Sequence, residues 1–340
     1  MNATTDSLLE IQGATDPSIN EEFKLYPWIK VIIASAVLVT TVSFVGNLLV
    51  ITAFIKYKNL QDATNCLICN QSLADILACI MTILNLVFSF TPSGRNYVSS
   101  YKTACLCYLC LTCVAFVGSF FNILSISTER LVAITKPLFS LNPRKKTFIK
   151  IWIAGAWLGI FLYACIPSME LHKWEPGVRC LVYWVYNKVY GMYTAVIPMY
   201  VILTITAFLN LVIGFLALKI RRSKVGSVAI KGSTTSYAKS QQPAVETPSN
   251  NGAKHSRKVT LMLLAVVGVF YVAWLPYLGL TLMSLIYPLQ YASNKYLLIA
   301  HEFAKILMMT NGAFNPFIYA NRNPPFNKAF RRILGIAQSR

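Results

Sequence analysis

The chain has 340 residues, of which 56% are hydrophobic and 13% charged, with a formal net charge of +19. Soluble domains are nearer a quarter charged, so the composition excludes an ordinary soluble protein and indicates one built for a membrane. The positive charge does not indicate nucleic acid, because the basic residues lie in segments between apolar runs, where charge sets topology.

Residues 1–26 are polar and acidic, with Asp6, Glu10, Asp16, Glu21 and Glu22. No basic start leads into an apolar core, so no cleavable signal peptide is expected. Asn2-Ala3-Thr4 is a glycosylation sequon, usable if this end is outside the cell. Seven apolar runs follow, at 28–55, 63–90, 101–134, 148–169, 187–220, 259–287 and 297–319. Each reaches the ~20 residues that cross a bilayer as a helix. The seventh carries His301, Glu302 and Lys305 near its start.

The third run begins at Cys105 and closes on Ser127-Thr128-Glu129-Arg130-Leu131. As a helix, Cys105 to Arg130 rises roughly 38 Å, placing the thiol at one face of the membrane and the charges at the other. The plain reading is a spanning helix with charged ends. The sharper one is a covalent tie at one end and a movable charge at the other.

With the N-terminus outside, inner loops and tail hold 21 of the 31 Lys and Arg. The positive-inside rule then places the C-terminus in the cytoplasm, which seven spans also require. The expected division is an outer tail over 1–27, a seven-helix domain over 28–322, and a short helix with its tail over 323–340. Residues 221–256 form a polar, basic, flexible cytoplasmic loop. In the second outer loop, Pro176-Gly177 suits a type II turn within a small hairpin that ends at Cys180. After the last span, Phe326, Phe330, Ile333 and Leu334 recur at helical spacing beside Lys328, Arg331 and Arg332. That is a basic amphipathic helix for the inner leaflet.

Nine cysteines are present. Cys107, Cys110 and Cys113 have a metal-like spacing, but no His is near and the segment spans lipid, so they read as small hydrophobes. Cys105 and Cys180 fall at expected outer edges, where a bridge would need an oxidising compartment.

Polar groups inside lipid are costly and default to functional candidates. Here they are Asn47, Asp75, Ser119, Asn311 and Asn315. An ionised Asp75 needs partners: a small cation with bound water is one solution, and a protonated Asp75 bonded to Asn47 and Asn315 is another. Pro167, Pro198, Pro276 and Pro316 mark bends in four spans.

Taken together, the residues resemble a rhodopsin-like (class A) G-protein-coupled receptor over about 25–335. The resemblance rests on Gly46-Asn47, Leu73-Ala74-Asp75, Glu129-Arg130 with Pro137-Leu138, and Trp157 with Pro167. It continues through Pro198, Phe270 with Trp274-Leu275-Pro276, Asn315-Pro316-x-x-Tyr319 and Phe326. It implies an all-α bundle of seven transmembrane helices with a short eighth, and a Cys105–Cys180 disulfide. It implies that Arg130 is held at rest by Glu129 and released when helix six swings outward to admit a heterotrimeric G protein. Tyr319 would support that state, and Pro137 and Leu138 would touch the partner. Phe120, Pro198, Phe270, Trp274 and Pro276 would connect pocket to cleft. Asp75, Ser119, Asn311 and Asn315 match an allosteric sodium site, and no other cofactor is implied.

Some positions depart from the family pattern. Leu131 and Thr206 stand where Tyr is common, and Ser256 is not the acid that pairs with the arginine in some members. Arg130 is therefore expected to have Glu129 as its only restraint at rest. The pocket carried over by position comprises Thr112, Cys113, Phe116, Tyr190, Thr194, Tyr277, Thr281, Lys305 and Met309, above Trp274. Thr112 replaces the Asp of amine receptors, and Met309 replaces the lysine of opsins. A peptide whose carboxylate meets Lys305 is favoured. A small non-amine molecule and an opsin-related receptor lacking the retinal lysine are the alternatives. Lys305 and Glu302 could instead pair with each other.

A transporter or channel would need repeats, broken helices or rings of charge, and none is visible. An enzyme would need clustered catalytic groups, and His172, His255 and His301 are dispersed. The expectation is a plasma-membrane receptor, not an enzyme. Its partners are an extracellular ligand, a G protein, arrestin, a receptor kinase and membrane lipid, with no nucleic acid.

Overall fold

The computed structural model describes residues 27–136, 142–169, 172–186, 196–231 and 250–336. Seven long helices carry the architecture. They are α1 (Pro27–Lys56), α2 (Ala63–Phe90), α3 (Lys102–Thr135), α4 (Lys145–Met169), α5 (Ile197–Lys231), α6 (Asn250–Ile286) and α7 (Lys295–Arg322). A shorter α8 (Pro324–Ile333) follows. The first six are long and apolar enough to cross a membrane by length and composition. α7 is as long as α2, at 28 residues, but Lys295, Glu302, Lys305 and Arg322 lower its apolar character. It packs between α6 and α1, which closes the bundle.

The outer surface explains the composition. Phe208, Leu211 and Phe215 on α5 are 65%, 74% and 67% exposed. Phe148, Ile151, Leu158 and Leu162 do the same on α4. So much bare apolar surface is stable only against lipid. In α3, by contrast, 56% of the most apolar window is buried, against 17% in α4 and α5. α3 packs on α2, α4 and α5 and is the central helix.

Local chemistry sets the helix ends. Asp62 caps α2 by accepting the Asn65 N–H at 2.7 Å, and Asn294 caps α7 by accepting those of Tyr296 and Leu297. Such caps are worth about 1 kcal/mol each. Glycine sets the α1–α7 contact: a Cβ on Gly46 would lie 2.8 Å from Pro316 Cγ. Pro167, Pro276 and Pro316 lie inside their helices. Pro198 falls in the first described turn of α5, so any bend on its N-terminal side lies outside the described residues.

Several expectations change. α5 continues helically to Lys231 and α6 starts at Asn250, so residues 221–231 and 250–256 are helix, where a flexible loop was expected. Lys and Arg are good helix formers and do not break the pattern. The connections after α2 and α6 contain two unexpected helices, Pro92–Ser100 and Pro288–Ser293, each opened by a proline at its first position. The type II turn forms, with Gly177 at φ 93° and Val178 N–H donating to Glu175 O at 3.1 Å. Among the described residues the hairpin around it is reduced to one antiparallel bridge, His172 to Tyr186, because Val182–Val185 coils into a helical turn. In α8, Phe326 and Phe330 are buried against the bundle, Phe326 beside Tyr319 with ring centroids 6.1 Å apart. The side chains left for lipid are Leu334 and Ile336, 59% and 52% exposed.

Candidate functional site

The N-terminal end of α3 is tied down. Cys105 and Cys180 form a disulfide with Cα atoms 5.6 Å apart. The loop it holds also rests on the helix before α3, through Gly177 N–H to Ser99 O at 3.0 Å.

Of the residues expected to line a ligand pocket, Thr112 turns its hydroxyl back to Tyr108 O at 2.8 Å. Thr281 does the same to Tyr277 O and also meets His301 Nε2 at 3.4 Å. Lys305 pairs with Glu302 at 2.6 Å, so the simpler of its two readings is the one observed. Both side chains are about one-third exposed, and such a pair is worth at most about 1 kcal/mol, so a ligand could displace it. Tyr190 and Thr194 lie outside the described residues. His301, expected at the pocket rim, sits tilted against Tyr277 with ring centroids 5.2 Å apart and bonds Tyr291. The sequence reading missed Asn85, which donates to Tyr108 OH at 2.7 Å.

The pocket floor is aromatic. Trp274 stands edge-on to Phe116 at 5.3 Å and to Phe120 at 4.5 Å, and Phe270 meets Phe120 at 4.9 Å. T-shaped pairs of this kind contribute about 0.5–1.5 kcal/mol each beyond burial. They join α3 to α6 through direct ring contacts. A cavity of about 40 Å³ passes from Trp274 and Met309 down to Asp75, Ser119 and Asn311.

Below the floor, amides dominate. Asn315 Nδ2 donates to Asp75 Oδ2 at 2.9 Å, as expected. Asn47 instead donates to Gly312 O and Ser43 O, both at 2.9 Å. Gln71, unremarked in the sequence, donates its Nε2 to Asp75 Oδ1 at 3.0 Å and to Ser119 Oγ at 2.9 Å. Asn122 Nδ2 donates to Gln71 Oε1, Asn70 Nδ2 to Asn122 Oδ1, and Trp157 Nε1 to Asn70 Oδ1, each at 2.8 Å. Asn311 Oδ1 is buried and has no partner among the described residues. Asn315 Oδ1 is likewise buried without a partner among them. Of the four residues expected to hold sodium, Asp75 and Ser119 share the Gln71 donor, and it is between these two that a cation would fit poorly.

At the inner end of α3, Glu129 and Arg130 are 8% and 7% exposed. Arg130 Nε donates to Glu129 Oε2, and Arg130 Nη2 donates to the Thr64 hydroxyl on α2. Lys145, at the start of α4, donates to Glu129 Oε1 at 2.7 Å. Glu129 is therefore not the sole restraint on Arg130, and it is itself shared between two cations. Nothing in residues 64 or 145 read alone announces this; only the packing of α2 and α4 on α3 does. Thr206 is buried and bonds its own helix, while Asn210 carries the α5–α3 contact by donating to Ser127 Oγ at 2.8 Å. The Tyr319 hydroxyl is buried with no partner among the described residues. Pro137, Leu138 and Asn2 lie outside them.

The profile of the 7 transmembrane receptor (rhodopsin family) matches residues 46–319. The chain belongs to this family. Relatives share about a quarter of its sequence. The thyrotropin-releasing hormone receptor of Gallus gallus is 26% identical, over 92% of this chain and 81% of that protein. The tachykinin-like peptides receptor 86C of Drosophila melanogaster is 27% identical, over 97% of this chain and 65% of that protein. The trace amine-associated receptor 8b of Rattus norvegicus is 28% identical, over 85% of this chain and 81% of that protein. The family is one of receptors, and the chain is a multi-pass membrane protein with the disulfide described above.

Proposed function

We propose that this receptor binds an extracellular peptide and activates a heterotrimeric G protein by outward movement of α6. The observation that carries the coupling half is Arg130, buried at the inner end of α3 and held by Glu129 and Thr64. A guanidinium restrained by a few displaceable acceptors is a two-state element, and a ligand biases it only by binding one state better. The aromatic contacts of Trp274 with Phe116 and Phe120 provide the mechanical link from the pocket. Tyr319, its hydroxyl without a partner among the described residues, is available to meet a displaced Arg130.

The peptide half is supported by the names of the hormone and tachykinin-like relatives. The pocket adds that no carboxylate stands at position 112 to hold an amine, and that Met309 cannot form a Schiff base. The N-terminus lies outside and the C-terminus inside, where arrestin, a receptor kinase and anionic lipid would meet the basic inner ends of α5, α6 and α8. Residues 1–27, 28–322 and 323–340 are the corresponding units, and Asn2 is the glycan acceptor.

A peptide screen in cells read by nucleotide exchange on G proteins tests the reading. A hit should be lost in Arg130→Ala at unchanged surface expression. Full signalling by that variant removes Arg130 from the mechanism, and solute flux with no exchange places the chain in another functional class.

A further inference from the structure

We propose that the side-chain amide of Gln71 is a built-in substitute for the sodium ion expected at Asp75. On this reading the protein's own donor holds α2 to α3, and the receptor does not respond to sodium.

The direction of each hydrogen bond in the core is fixed. An amide can be turned either way, so Gln71 could in principle face Asp75 with its oxygen. The chain of bonds to α4 forbids it. Trp157 Nε1 can only donate, so Asn70 must present its oxygen there. That commits Asn70 Nδ2 to Asn122 Oδ1. Asn122 Nδ2 is then committed to Gln71 Oε1, an orientation that Leu67 O, an acceptor 3.2 Å away, also requires. Only the Gln71 NH₂ remains for Asp75 and Ser119. The series starts on a group that only donates and ends on a carboxylate, which accepts. No member needs to be reversed.

Gln71 and Ser119 are 0% and 3% exposed, so the amide has no water to compete with it. Space does not exclude an ion, since the adjoining 40 Å³ exceeds the roughly 10–15 Å³ that one water requires. Exclusion comes from position: the amide nitrogen stands 3.0 Å from Asp75 Oδ1 and 2.9 Å from Ser119 Oγ, and its partially positive N–H groups oppose a cation placed between the two oxygens. To sit there, sodium must displace the amide, and that would strand a buried NH₂ and break the polar series that reaches α4. The inference concerns the bundle core and holds whichever ligand the receptor takes.

The test uses the purified full-length receptor in detergent and its thermal unfolding midpoint. Sodium chloride is compared with N-methyl-D-glucamine chloride at equal ionic strength. The wild type should melt at the same temperature in both. Gln71→Leu removes the donor and frees both oxygens, so sodium should raise its midpoint by about 2–4 °C for each kcal/mol of binding. Adding Asp75→Asn should abolish that rise. Gln71→Asn, too short to span Asp75 and Asn122, repeats the test if the leucine variant does not fold. A sodium-dependent rise in the wild type that disappears in Asp75→Asn overturns the proposal. So does a folded Gln71→Leu or Gln71→Asn protein that remains indifferent to sodium.

Discussion

Replacing Lys145 by Met should reduce the basal activity of the receptor. Glu129 is buried and has two cationic partners, Arg130 and Lys145, whose Nζ stands 2.7 Å from Oε1. While Arg130 is held, Glu129 keeps a partner whether or not Lys145 is present. On the proposed mechanism, when Arg130 leaves to meet a G protein, Lys145 and the Thr64 hydroxyl, 3.3 Å from Oε1, are the partners that remain among the described residues. A charge-assisted hydrogen bond contributes about 1.5–3 kcal/mol, and a buried carboxylate without one bears a comparable penalty. Lys145 therefore stabilises the released state more than the held one. Taking the lower end of that range, Lys145→Met should lower agonist-free nucleotide exchange about tenfold, as 1.4 kcal/mol is a factor of ten. Glu129→Gln, which weakens the grip on Arg130 directly, should raise it. The assay is exchange on membranes expressing each variant, normalised to surface receptor. A rise in Lys145→Met comparable to that in Glu129→Gln would refute the reasoning, because it would make Lys145 part of the restraint.

Two further outcomes follow from the packing. Cys105→Ser opens a bridge that spans 75 residues of sequence. The loop-entropy estimate for that length is about 4.5 kcal/mol, enough to lower the melting temperature by many degrees and to cut surface expression. An unchanged melting curve would show that the Ser99 and helix contacts suffice to seat the loop. Gly46→Ala places a methyl 2.8 Å from Pro316 Cγ, a ring that cannot fold away. Overpacking of this kind costs about 1–3 kcal/mol, and the variant should melt lower than wild type. Full stability would mean that α1 and α7 can separate at no cost.

Much of the architecture was legible in the chain. Apolar runs longer than a bilayer, basic loops on alternate sides and the order of the motifs were enough to place all seven helices. Residues with one dominant local preference were also readable. Pro176-Gly177 made its turn, and Asn315 met Asp75. Residues whose role depends on what another helix brings were not. Gln71 looked like an ordinary polar residue in α2 until Ser119 and Asn122 of α3 closed around it. Lys145 counted only as a topological charge until α4 set it against Glu129. Phe326 and Phe330 had the spacing of a lipid-facing stripe, and the bundle claimed them because it was nearer than the membrane.

Hydrophobic length, charge asymmetry and family motifs are properties of the chain alone, because the bilayer imposes them one segment at a time. They determined a seven-helix receptor with its thiol tie at one end of α3 and its arginine at the other. Hydrogen-bond partnership is different in kind. A buried amide or carboxylate is satisfied by whichever donor the packing delivers, and helices 50 or more residues apart in sequence deliver it. The tertiary structure alone therefore decided that Glu129 answers to two cations, and that Asp75 faces an amide of its own chain.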